Sequence, residues 1–354
     1  MIFYTHERNF GCRITEYVYR GLRTIALENE LLRVTIIADK GTDIFEFLYK
    51  PLDVDFMWRS PWGVRNPATY VATSHTGASA FLDFYAGGWQ DCFPTGGDAT
   101  EYLGLPFGAH GETATLPWVY QIIEDSPDRI VVKFHVRTIR TPFYLEKFFT
   151  LERNRGVLQI KESVVNEGRT TMQFMWGQHP ALGVPFLDDS CVIDLAGAQV
   201  HCAQLMPNTR FVPGVYSWPF VPGIDGKMID LRQVGSVAED TADTLFLDQL
   251  QAGWYAVTNT RRQVSFGLAW ELEVFPALWF WQVYGGAYNP PWYGRTYNIA
   301  LEPFSTRQRT VNDAIRHNSA HTLAPGARLE TKFCAVAAAG LEHVNGISVA
   351  GEIF

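Results

Sequence analysis

The chain is poor in charge, has no long apolar run and scatters its few cysteines, and each shortage excludes a class of function. Asp, Glu, Lys and Arg make up only 19% of the 354 residues, and no Lys/Arg-rich run occurs. Twenty-nine basic and 37 acidic residues leave a net charge of −8. An acidic chain without a basic stripe suits neither nucleic acid nor an anionic membrane. No window approaches the roughly 18 uninterrupted apolar residues of a membrane span. The N-terminus, MIFYTHERNF, lacks a positive segment followed by an apolar core, so no signal peptide is expected. Cys12, Cys92, Cys191, Cys202 and Cys334 form no CxxC pair. A zinc knuckle or redox motif is therefore not expected, and reduced thiols in a cytoplasmic protein are the simplest reading. The histidines show no H-x-H or H-E-x-x-H spacing, so no metal site is expected.

Helical periodicity is scarce too. Short β-rich runs fill the chain instead. Leu22 to Leu27, Leu31 to Ala38 and Thr42 to Tyr49 are separated by turns too short for helical crossovers, which predicts antiparallel hairpins. Asp53 to Trp58 offers a further strand. Alternation returns in Arg129 to Ile139, Tyr144 to Leu151, Val157 to Asn166 and Thr171 to Gly177, a meander with ready turns at Asn154-Arg155-Gly156 and Glu167-Gly168. A later series follows at Leu245 to Leu247, Trp254 to Asn259, Gln263 to Trp270, Ala277 to Tyr284, Tyr297 to Leu301 and Ala327 to Ala338. Asn312 to Ser319 is a short helical candidate. Arg59 to Glu112 is rich in Gly and Pro without a sustained period, as a segment folded over or into a functional site would be, and Pro207 to Gly235 reads as a long loop. No repeat or linker stands out. So many short strands predict an all-β protein, one large antiparallel β-sandwich spanning residues 1–354.

What the chain has in plenty is aromatic surface: 11 Trp, 24 Phe and 15 Tyr, 14% of the residues. Several polar groups sit among these rings. They are Trp89-Gln90-Asp91 after Gly87-Gly88, His110-Gly111-Glu112, Gln178-His179 after Trp176-Gly177, Gln282 in an aromatic run, and Glu302 at the end of a strand. Gly177 and Pro180 break the alternation and leave His179 at the mouth of its strand. Each group also has an ordinary structural use: Gly-Gly pairs make turns, a Glu before Pro sits on surfaces, and Gln282 suits an outward strand face. Together they have the composition of a sugar site, in which aromatic planes stack on C–H faces while amides and charged groups take hydroxyls.

GGWQDCFP (Gly87 to Pro94), HGE (His110 to Glu112), WGQHPALG around His179, WQVYGG (Trp281 to Gly286) and NIALEPFS around Glu302 occur in an order and spacing that resemble the aldose 1-epimerase (galactose mutarotase-like) superfamily. The resemblance covers nearly the whole chain and implies a many-stranded β-supersandwich. It implies a cofactor-independent isomerase, with Glu302 as general base on the anomeric hydroxyl and His179, as imidazolium, the general acid on the ring oxygen. An ionised carboxylate beside a charged imidazole would satisfy both roles. It further implies that His110, Trp89, Gln90, Glu112, Gln282 and Asp243 contact the sugar. The Asn-Arg pair that family members carry early in the site is replaced here by Trp89-Gln90-Asp91, which marks a divergent branch. Arg59, Arg65 and Arg295 lie in Trp- and Pro-rich loops, either to meet an anionic sugar or as surface charge. Two other readings stay open: a carbohydrate-binding protein without catalysis, and a glycoside hydrolase or lyase using carboxylates among Asp91, Glu101, Glu112 and Glu302. The partner in every case is a small-molecule sugar. Exposed aromatics in the long loops would either cap the site or build a homodimer interface.

Overall fold

Strict alternation needs an apolar face to bury, and the computed structural model, which describes residues 8–69, 79–203 and 205–354, buries it between two large antiparallel sheets. Phe143–Glu152 shows the principle: every second residue is buried, and the inward set is Phe143, Leu145, Lys147, Phe149 and Leu151. That strand lies in an eight-stranded sheet, between Arg129–Arg137 and Val157–Asn166, as the meander predicts. Arg328–Ala339 pairs next to Val157–Asn166, followed by Val264–Trp270 and Trp254–Asn259. The other sheet has twelve strands. Its N-terminal part is the expected run of hairpins, Leu22–Glu28, Leu32–Ile37 and Asp43–Tyr49. The inner faces meet ring to ring; Phe47 of the larger sheet packs edge-on against Phe266 of the smaller, centroids 5.4 Å apart.

Five strands at the centre of the larger sheet position everything described below. In chain order they are β1 (Trp89–Cys92), β2 (Gly177–Leu182), β3 (Thr241–Asp248), β4 (Ala277–Tyr284) and β5 (Tyr297–Phe304). Side by side they run β1-β2-β5-β4-β3. Two differ from the sequence expectation in a way that matters. The expected strand Thr171–Gly177 is split: Met172–Phe174 pairs with His321–Leu323, and the chain then enters β2, where the sequence suggested a break. Pro180 is tolerated because β2 bonds β5 at Gly177, Ala181 and Leu182 and asks no donor of the proline. His179 therefore lies within a strand rather than at its mouth. β5 likewise runs past Leu301 to Phe304, so Glu302 is interior to it.

Other departures are smaller. Asp53–Trp58 yields only the two-residue strand Val54–Asp55, and β3 extends the expected Leu245–Leu247 at both ends. Pro207–Gly235 holds three short strands, Gly214–Ser217, Phe220–Pro222 and Met228–Asp230. The stretch Arg59–Glu112 contains the short helix α1 (Ser79–Phe84) and β1, while residues 70–78 lie outside those described. The helical candidate near Asn312 is α2 (Val311–Arg316), capped by Thr310, whose hydroxyl accepts from the Asp313 N–H. All five cysteines are buried and free. Among the described residues, no helix is long and apolar enough to cross a membrane.

Candidate active site

The register of the central strands sets one row of side chains on the face turned away from the smaller sheet. Glu302 of β5 stands opposite Trp279 of β4, and Ala300 opposite Trp281. Thr244 and Phe246 of β3 stand opposite Trp281 and Trp279 in turn. On the other side of β5, His179 of β2 completes the row. Thr244, Phe246, Trp279, Trp281, His179 and Glu302 of this row line a cavity of about 220 Å3. At ~30 Å3 per water it holds about seven waters, the size class of one small ring molecule. Phe81 and Leu82 of α1, Tyr85 just after it, and Asn289 and Trp292 from the turn before β5 form further walls. Trp281 and Trp292 are 5.3 Å apart between centroids.

At the base of the cavity His179 Nε2 lies 3.5 Å from Glu302 Oε1, both side chains at most 6% exposed. The other ring nitrogen, Nδ1, is 3.3 Å from Tyr85 Oη. The His110 ring stands perpendicular to that of His179 at 5.1 Å and packs against Phe81 at 4.3 Å. Two buried atoms here have no hydrogen-bond partner among the described residues, Glu302 Oε2 and His110 Nδ1. Unpaired polar atoms at the base of a cavity are costly unless something that enters pairs with them. His110 has φ +60°, a left-handed conformation rare outside glycine, and its neighbour Gly111 has φ +78°. A Cβ on Gly111 would lie 2.1 Å from the Phe93 carbonyl oxygen, so the histidine's turn depends on that glycine.

Burial governs the titration of this group. With no cation beside it, the Glu302 carboxyl is pushed well above its usual range. Burial lowers His179 to about 4. His110 is driven well below its ordinary value by burial, then by His179 and Arg309. Burial thus pushes both groups toward their neutral forms, against the ionised carboxylate facing an imidazolium that the resemblance implies: removing two charges from water costs more than their attraction returns. The two forms differ only by a proton moved between Oε1 and Nε2.

Among the residues expected from sequence, Glu302, His179 and His110 converge on the cavity; the others do not line it. Trp89 lies in the core between the sheets, its indole N–H donating to Gln178 Oε1 at 2.7 Å. Gln90 donates to the Gly87 carbonyl. Glu112 anchors a turn, accepting from the Ile139 and Arg140 amides at 2.8 and 3.1 Å and from the Thr141 hydroxyl. Gln282 and Asp243 face each other across β4 and β3 in the opposite register from Trp281; there Gln282 Oε1 accepts from Arg210 at 2.8 Å and Asp243 from Thr209 at 2.5 Å. Gly87 and Gly88 admit neighbouring backbone rather than a ligand, since Cβ atoms there would lie 2.2 Å from the Trp58 carbonyl oxygen and 2.5 Å from that of Ile44. Arg59 pairs with Asp55 and covers the Phe45 ring, and Arg65 and Arg295 bond backbone carbonyls. The arginine that does reach the cavity is Arg309. Tyr85, Trp292 and Arg309 were not singled out from the sequence, and Trp281 appeared there only as the start of WQVYGG; strand parity with Glu302 would have marked it as a lining residue.

Behind β1 and β2, Lys147 of the smaller sheet pairs with Asp91 and lies 3.1 Å from Glu162, while Gln178 donates to both carboxyls. This buried cluster fixes the residue next to His179. Among the described residues, no three His, Cys, Asp or Glu side chains converge as a metal would require.

The model of the family described as a domain of unknown function, DUF4432, matches residues 19–335. No curated protein matches the chain. Solved structures do match in fold. A Klebsiella pneumoniae protein provisionally assigned as an aldose 1-epimerase is 13% identical with a TM-score of 0.71, the match covering 92% of this chain and 87% of that one. A galactose mutarotase related enzyme from Lactobacillus acidophilus is 16% identical with a TM-score of 0.60, over 94% and 100%. A galactose mutarotase-like protein from Clostridium acetobutylicum is 14% identical with a TM-score of 0.59, over 93% and 99%. The large antiparallel sandwich described above is thus the mutarotase-like fold.

Proposed function

From a chain that belongs to the DUF4432 family and has the mutarotase-like fold, we propose an aldose 1-epimerase, a cytoplasmic isomerase that interconverts the α and β anomers of an aldose or modified aldose. The observation that carries this reading is the Glu302–His179 pair, 3.5 Å apart at the base of an aromatic-walled cavity. Ring opening needs one group to take the anomeric hydroxyl proton and another to give a proton to the ring oxygen, and one shared proton on two adjacent groups supplies both. Entry of a polyhydroxylated ring brings donors to Glu302 Oε2, which has none among the described residues. That favours moving the proton from Glu302 to His179. The carboxylate then takes the proton of the anomeric hydroxyl while His179 Nε2 protonates the ring oxygen, and the C1–O5 bond breaks. The aldehyde rotates about C1–C2, the ring closes on the other face, and both protons return. Tyr85 orients the imidazole through Nδ1 so that Nε2 faces the cavity. Trp281 and Trp292 offer stacking faces.

A glycoside hydrolase of the ordinary kind requires two carboxyls flanking the scissile bond. Among the described lining residues Glu302 is the only one, which supports the isomerase over the hydrolase. The test is polarimetric relaxation of freshly dissolved pure anomers, across neutral, acidic and phosphorylated aldoses, with and without the protein. Acceleration of one of them is the expected result. Binding without acceleration of any would make this a sugar-binding protein instead.

A further inference from the structure

Arg309 is the only cation among the described residues lining the cavity, and its surroundings do not account for its placement there. Its guanidinium pairs with Asp98, but the two side chains are 35% and 45% exposed and Asp98 does not line the cavity. Exposed ion pairs of this kind hold weakly. The pair is not needed to join its two loops, since the Asp98 N–H donates to the Arg309 carbonyl at 3.3 Å and the Val311 N–H to Thr95 Oγ1 at 3.1 Å. Between them runs Gly96-Gly97. A Cβ on Gly97 would come 3.1 Å from the Trp279 ring and 3.8 Å from His110, so its absence keeps the cavity open between the loop and the histidine. The remaining walls are aromatic or aliphatic apart from the neutral Glu302–His179 pair, Thr244 and Asn289. The cavity therefore presents one positive charge with a displaceable, solvent-facing counter-ion.

We propose that the sugar accepted here carries an anionic group, a carboxylate, phosphate or sulfonate, and that Arg309 receives it in exchange for Asp98. The planar guanidinium fork suits all three anions and would hold them by two parallel hydrogen bonds. The proposal rests on the sugar-isomerase reading for its ligand class, but binding tests it separately from turnover.

The experiment is calorimetric titration of the full chain with glucose, galactose, glucuronate, galacturonate and glucose 6-phosphate, repeated for Arg309→Gln and Asp98→Asn. At least one anionic sugar should bind the wild type tenfold or more tightly than its neutral parent, and the carboxylate and phosphate arms identify the anion. Arg309→Gln should erase that advantage, a loss of roughly 10- to 100-fold, the scale of one charge-assisted hydrogen bond. Asp98→Asn should widen it, because the competing carboxylate is gone. A merely structural latch would be weakened alike by both variants, whereas the proposal requires opposite shifts. It is overturned if the wild type shows no anionic preference, if the preference survives Arg309→Gln, or if both variants shift it the same way. A chain that prefers anionic sugars through Arg309 yet accelerates no anomer exchange would uphold this proposal and refute the isomerase.

Discussion

Lys147→Met removes one positive charge from between two buried carboxyls and keeps most of the side chain's apolar stem. Lys147 is 6% exposed, Asp91 1% and Glu162 2%. Burial first, then the charge of Asp91, raises Glu162 to about 8, which favours its protonated form near neutral pH. The ammonium also lies 3.1 Å from Thr42 Oγ1 and 5.3 Å from the Trp118 ring centroid. Methionine leaves Asp91 with Gln178 as a donor and no cation. Breaking a buried pair in this way costs about 3–5 kcal/mol. Equilibrium urea unfolding should show that loss as a lower midpoint at unchanged slope. Adding Asp91→Asn removes the stranded charge, and the double variant should be more stable than the sum of the single losses by at least ~1 kcal/mol. A loss below ~1 kcal/mol for Lys147→Met, or strict additivity in the double variant, would refute the view that this cluster ties the sheets together behind the site.

The Glu302–His179 pair fixes a stability profile. Glu302 is raised, so its contribution is fully present below the unfolded value of ~4.5 and is lost as pH rises through the folded one; His179 is lowered to about 4, so its contribution is present above the unfolded value of ~6.5 and is lost as pH falls toward 4. Glu302→Gln removes the carboxyl's part, so the variant should gain on wild type as pH rises above ~4.5 in unfolding titrations; a pH-independent difference would contradict the raised Glu302. Trp281→Ala should raise KM roughly tenfold by removing a stacking face. Gln282→Ala, on the opposite sheet face, should change KM less than twofold and cost about 1 kcal/mol of stability through the lost Arg210 bond. The reverse ranking in steady-state kinetics would mean that the strand register bearing the site is misassigned.

Local pattern carried the sheet framework, because alternation and short turns are local. The hairpins from Leu22 and the meander from Arg129 occur where they were expected. Strands interrupted by proline were less legible. Pro180 and Pro303 masked the interiors of β2 and β5, since only the pairing with a neighbour shows which N–H groups a strand can spare. The site followed the same division. Glu302, His179 and His110 were found through motif order, but Gln282 was chosen where the cavity takes Trp281, a slip of one residue that inverts the strand face. Trp89 and Glu112 were polar or aromatic for structural reasons, one bonded to Gln178 and the other to a turn 27 residues away. Arg309 had no local signal, because it reaches the cavity only through the folding of its loop against Gly96-Gly97. Lys147 had one: a lysine at an inward position of a strictly alternating strand requires a buried anion.

Saturation-transfer NMR on the anomeric protons of the sugar that the protein binds most tightly tests the central claim most directly, with wild type, Glu302→Gln and His179→Ala measured in parallel. The account predicts accelerated α/β exchange in the wild type and a fall of several orders of magnitude in both variants, each folded and still binding. Exchange at the wild-type rate in either variant would contradict the assignment of that residue. An absence of exchange in the wild type, with binding intact, would contradict the isomerase itself.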